Sequence, residues 1–150
     1  MKFLRRFFLV FLLIAPQAFA YSDHIGVSTD EVWQAAVQVF KPYGIHRSDE
    51  SKKNLETNWM QDQVVRSRGL LKKIAKARYD RRYRLKFRVS EKAGGADVEI
   101  KGVFEEKPVD IGFSVPWKRV GGVEIDDADI EQDFFMKILR RMEKNRFDKL

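Results

Sequence analysis

Residues 81–106 read RRYRLKFRVSEKAGGADVEIKGVFEE, and the pattern in this stretch decides the fold. Tyr83, Leu85, Phe87 and Val89 fall on one side of an extended strand, and Arg82, Arg84, Lys86 and Arg88 fall on the other. Gly94-Gly95 supplies a two-residue turn whose central positions favour a positive φ. Turning there sets Val89 opposite Ile100, Arg84 opposite Glu105 and Lys92 opposite Asp97, with Tyr83, Leu85, Phe87, Val89, Val98, Ile100 and Phe104 on the core face. The cationic stripe then reads as the wet face of a half-buried sheet, each cross-strand ion pair contributing roughly 0.2–1 kcal/mol. Readers of single-stranded nucleic acid interleave cations with exposed aromatics, whereas Tyr83 and Phe87 point to the core, so no nucleic-acid partner is expected.

Upstream, Ser28 or Thr29 caps a helix whose Val32, Trp33, Ala36, Val39 and Phe40 form one stripe, ended by Pro42 and Gly44. A strand at 44–47, a polar loop and a strand at 54–60 form a first hairpin. In the second strand Leu55, Thr57 and Trp59 alternate with Glu56 and Asn58. Downstream, a short strand is expected near 111–115. Asp126 or Asp127 then caps a long helix with Ile130, Phe134, Ile138 and Met142 every four residues, widened by Phe135 and Leu139. The order is α-β-β-β-β-α. Two amphipathic helices on one face of an antiparallel sheet make a two-layer α+β domain.

The first twenty residues, MKFLRRFFLVFLLIAPQAFA, read as a cleaved secretory signal: Lys2, Arg5 and Arg6, then an apolar run, then Ala18-Phe19-Ala20. The run is short of the roughly 20 residues a membrane span needs. Cleavage after Ala20 leaves a single domain over 21–150 and lowers the net charge from +7 to +4. With no cysteine in the chain, disulfides, thiolate chemistry and a lipid-modified N-terminus are excluded. The expected location is the periplasm, as a soluble protein and not a lipoprotein.

Little in the sequence supports catalysis. His24 falls in the flexible start of the processed chain and His46 on a short strand, and neither has a nucleophile or carboxylate at recognisable spacing. The acids of EIDDADIEQD lack the spacing and turn glycine of a calcium loop and suit a helix N-terminus instead. No phosphate-cradling loop is present, and no cofactor or metal is expected.

The charged feature that stands out is a basic tract, within which 61–80 reads as an insertion, helical or mobile. Arg66, Arg68, Lys72, Lys73, Lys76 and Arg78 are its candidate contacts to a partner or an anionic membrane surface, each cation near such a surface being worth about 1 kcal/mol. The alternative is a carrier holding a small apolar ligand between helix and sheet, lined by Trp59, Phe87 and Phe104.

The VW helix, the GI strand at Gly44-Ile45, the strand ending TNW at Trp59, the YRLKFRV…GGADVEI hairpin and the final IEQDFFMKILRRM helix occur in one order. This plan resembles the helix-grip domains of the BamC (NlpB/DapX) family, accessory lipoproteins of the outer-membrane barrel-assembly machinery, over about 29–143. The resemblance implies a helix-grip fold with Trp33, Gly44, Ile45 and Trp59 as fold markers, no catalytic residues, and partners among envelope or outer-membrane assembly proteins. The expected function is that of a non-enzymatic interaction domain accessory to envelope assembly.

Overall fold

Ser28 starts the first helix as the sequence requires: its Oγ accepts the Glu31 N–H at 3.3 Å, and α1 runs Thr29–Phe40. The computed structural model describes residues 20–67, 76–109, 115–120 and 125–149. Before α1 lies β1 (Tyr21–Ile25); after it, past a 3₁₀ turn at Lys41–Tyr43, come β2 (Ile45–Asp49), β3 (Asn54–Thr57) and β4 (Met60–Ser67). The long strands β5 (Lys76–Lys92) and β6 (Gly95–Pro108) follow, then β7 (Lys118–Val120) and α2 (Ile125–Phe147). The fold is a two-layer α+β domain, an antiparallel sheet in the order β1-β6-β5-β3-β2 with helices on one face.

Two long strands organise the sheet. Along β5, β3 pairs near the turn and β4 farther out; along β6, β1 pairs near the turn and β7 farther out. Antiparallel α1 and α2 cover the turn-proximal half, tied by Arg146 Nε to Glu31 Oε1 at 2.6 Å. Phe40 stacks on Phe134 with centroids 5.2 Å apart, and Phe87 packs against Phe40 at 5.8 Å and Trp33 at 6.3 Å. Val32, Leu85, Val98, Ile100 and Ile138 complete this dry interior.

Several expectations are corrected. The hairpin turns at Ala93-Gly94, with Gly94 carrying the positive φ of +85°, so Val89 faces Val98, Arg84 faces Val103 and Lys92 faces Gly95. Gly95 is needed for another reason: a Cβ there would stand 2.1 Å from the Ile25 carbonyl oxygen of β1. The shift is two residues, so every side chain keeps its predicted face. Lys92 still reaches Asp97, diagonally, at 2.8 Å.

The start of the described chain is a strand and not a flexible lead: β1 pairs with β6 from Tyr21↔Ile100 to Ile25↔Ala96. The tract read as an insertion is strand at 60–67 and again at 76–80, because Met60↔Tyr83 through Ser67↔Lys76 form a continuous ladder. Residues 68–75 lie outside the described residues, as do 110–114, where most of the short strand expected at 111–115 falls; the strand found is Lys118–Val120. α2 begins at Ile125, which puts Asp126 and Asp127 in its first turn instead of at the cap.

Candidate interaction surface on the open sheet face

The face of the sheet away from the helices carries the alternate residues of the long strands, and a bulge adds an aromatic to it. Between Glu56↔Lys86 and Met60↔Tyr83, β3 and β4 use one residue more than β5 does. Thr57, fully buried, closes the gap by accepting the Leu85 N–H at 3.0 Å, and Asn58 donates its N–H to the Gly44 carbonyl at 2.9 Å. Gly44 has φ +78°, and a Cβ there would lie 2.3 Å from Asn58 Nδ2. The GI and TNW markers therefore meet in space. The extra residue turns Trp59 away from the core and onto the open face.

There Trp59 joins Trp117 in holding one guanidinium. Arg82 Cζ lies 4.7 Å from each indole centroid, and its Nε donates to Glu105 at 2.6 Å. Arg84 Cζ stands 4.9 Å from Trp59 and Lys107 Nζ 4.8 Å from Trp117, extending the ladder at both ends. Both indoles are half-buried, and each such contact is worth about 0.5–1 kcal/mol when water-exposed.

Nearer the turn the same face is basic and less well compensated. One row across the sheet reads Arg47, Glu56, Lys86, Lys101, on β2, β3, β5 and β6. Glu56 is taken by Arg84 at 2.6 Å, so Lys86 and Lys101 stand directly opposite as like charges, an arrangement that costs stability. Arg88 follows in the next row, between Asn54 and Glu99. These residues line a shallow groove of ≈ 360 Å³ whose rim also carries Asp49 and Lys52. In a separate depression on the same face, lined by His24, Arg88, Lys92 and Glu99, Asp97 is held below the ordinary carboxylate range by hydrogen bonds from Lys92 and then His24, whose Nδ1 is 2.7 Å away.

The opening stripe thus divides: Arg82 and Arg84 are paired with acids, while Lys86 and Arg88 point into the groove. Of the residues singled out in the basic tract, Arg66 is turned to the helix side of the sheet and paired with Glu106 at 2.6 Å, a structural role instead of the expected surface contact. On the same side of the sheet the buried Arg81 grips Asp62 through Nε at 2.8 Å and Nη2 at 2.5 Å. Lys76 and Arg78 are exposed on β5; Arg68, Lys72 and Lys73 lie outside the described residues.

The three aromatics named as a cavity lining do not converge. Phe87 is 1% exposed within the core, Phe104 stacks on Tyr83 at 5.7 Å, and Trp59 is on the opposite face. His46 is exposed at the β2 bulge. Among the described residues no group of three or more potential metal ligands converges.

Sequence reasoning missed the Arg47–Lys86–Lys101 row. Its parity was legible, but the row depends on the strand order and on a bulge between Ile45 and Arg47. Trp117 was missed for a similar reason, since its position follows from the pairing of β7.

No family model matches this chain, and no curated protein does. Among solved structures it is similar to a DUF4468 family protein from Bacteroides ovatus, at 14% identity and a TM-score of 0.50, over 82% of this chain and 85% of that one. At that identity the likeness concerns the fold.

Proposed function

We propose that this chain is an exported, non-enzymatic interaction domain, accessory to outer-membrane or envelope protein assembly, that receives an acidic protein segment on the open face of its sheet. The observation that carries the reading is the uncompensated pair Lys86 and Lys101, directly opposed and flanked by Arg47 and Arg88. Like charges held face to face on a rigid sheet are relieved by an anionic partner.

A protein segment suits the groove better than a lipid surface. Asp49, Glu56 and Glu99 are interspersed with the cations, a mixed pattern that favours position-specific contacts and penalises a uniformly negative plane. Trp59 and Trp117 beside it offer the aromatic anchors that dominate many interfaces. The leader at 1–20 and the BamC-like order of elements support a place in the envelope.

The test is a charge reversal, Lys86→Glu with Lys101→Glu, in the processed protein. Binding to a glutamate-rich peptide should fall at least tenfold, while the unfolding midpoint stays close to the parent's, since one directly opposed like-charge pair replaces another. In-cell crosslinks to barrel-assembly components should disappear with it. Unchanged peptide affinity, or binding that tracks anionic vesicles instead of the peptide, sinks the proposal.

A further inference from the structure

A buried carboxylate closes the sheet at the point where the processed chain would begin. Glu131 of α2 is 3% exposed, and it reaches the strand layer with both oxygens. Oε2 accepts the Tyr21 N–H at 2.9 Å and Oε1 accepts the Gly102 N–H at 2.5 Å. The β1–β6 ladder opens at Tyr21↔Ile100, so a strand continued two residues upstream would lie opposite Gly102. Gly102 has already given its N–H to Glu131. The carboxylate thus ends the ladder at Tyr21 and takes the place of the next strand residue.

Two further observations meet at this spot. The small-residue motif Ala18-Phe19-Ala20 sets the scissile bond between Ala20 and Tyr21, the same boundary reached independently by the ladder. A Cβ on Gly102 would lie 2.1 Å from Phe104 Cε2 and a tight 3.2 Å from Glu131 Oε1, so bare backbone lets the Phe104 ring and the carboxylate crowd the same spot.

We propose that Glu131 is the binding site for the α-ammonium group that cleavage after Ala20 creates; this rests on the export reading above. Hydrolysis adds water across the Ala20–Tyr21 bond: the water oxygen joins the Ala20 carbonyl carbon, so the leader departs as a carboxylate, and the Tyr21 nitrogen takes both of the water's protons to become an ammonium. One amide donor beside a buried carboxylate becomes a cation with three donors. Charge-assisted hydrogen bonds of this kind are shorter and roughly twice as strong as neutral ones. Processing therefore fastens β1 to the sheet, and the processed domain is more stable than its precursor.

The experiment is a thermodynamic cycle. Chains beginning at Tyr21 or keeping Gln17 to Ala20 ahead of it are each made with Glu131 and with Glu131→Gln, and all four are melted. The Tyr21 chain should melt roughly 5 °C above the extended one, and that gap should close in the Gln pair. Equal midpoints in the Glu131 pair, or a gap that survives the substitution, overturn the proposal. Should the Gln variants fail to fold, acylation of the Tyr21 α-amine is measured in the unsubstituted chain: at least tenfold slower labelling than in a free YSDHI peptide is expected, and equal rates overturn it. Intact mass of the protein recovered from cells separates the two readings. Retention of residues 1–20 overturns export, and with it capture as a maturation step, whereas a chain starting at Tyr21 with no gap in the cycle overturns capture alone.

Discussion

The two halves of the β5–β6 ribbon are held by different physics. The half near the turn is clad by both helices and filled with Leu85, Phe87, Val89, Val98 and Ile100, each at most 2% exposed. In the far half, the same side of the sheet carries the ion pairs of Arg81 with Asp62 and Arg66 with Glu106, and the Arg81 guanidinium lies 5.7 Å from the Tyr83 ring and 5.9 Å from Phe104. One continuous pair of strands thus passes from a dry core to a polar one. The alternating pattern continues through both, and what changes is the chemistry on the inner face. A sheet can extend beyond its helix layer when its inward side chains satisfy one another's charges.

Substitutions at matched positions on the inner face should break that contrast. Phe87→Ala is expected to cost about 3–5 kcal/mol and to lower the midpoint of the whole cooperative transition, read by chemical denaturation. Arg81→Ala should cost less, roughly 1–3 kcal/mol, because Asp62 is 37% exposed and water can serve the carboxylate left behind. Its effect should be local: faster amide exchange in 60–67 and 76–82, with protection in 85–100 retained. Equal loss of protection along both halves would mean that the ribbon is one unit and the contrast is false.

The smallest effect belongs to Asp97, on the open face of β6 outside the groove. Asp97 is depressed by Lys92 and His24, so its contribution is present above the ordinary carboxylate pKa of about 3.9 and is lost as pH falls through the lower folded value. Asp97→Asn should therefore differ slightly from the parent at pH 7 and converge with it in acid, followed as the unfolding midpoint between pH 2 and 7. A difference that does not shrink as the pH is lowered would assign the effect to something other than this ionisation.

Much of this architecture can be read from alternation and spacing. The faces of Arg82 to Val89 are unambiguous because their period is two, and an error of two residues in the turn leaves them intact. The limits of α1 follow from Ser28, Pro42 and Gly44. Trp59 marks where such reading stops: one extra residue at a bulge reverses its face, and nothing local announces the bulge except Gly44, whose partner Asn58 is distant in sequence. β1 is short and polar outside Tyr21 and Ile25, so its pairing depends on an edge presented by β6. Glu131 looks like one more polar residue of an amphipathic helix, and its burial follows from where β1 stops. The candidate surface was half legible for the same reason: the stripe on β5 shows its charges, but the neighbours that neutralise or reinforce them come from other strands.

The pairing of β1 with β6 also bears on the order in which the molecule assembles. Tyr21 and Ile100 are partners across most of the described chain, whereas β5 and β6 join through a two-residue turn. Contacts that close a long loop form late, after local hairpins have nucleated. Until β1 arrives, residues 96–100 of β6 present an unpaired edge, the kind of surface on which chains of the same sequence add to one another. The bare backbone of Gly95, which lets the Ile25 carbonyl come close, is what allows β1 to dock and end that exposure.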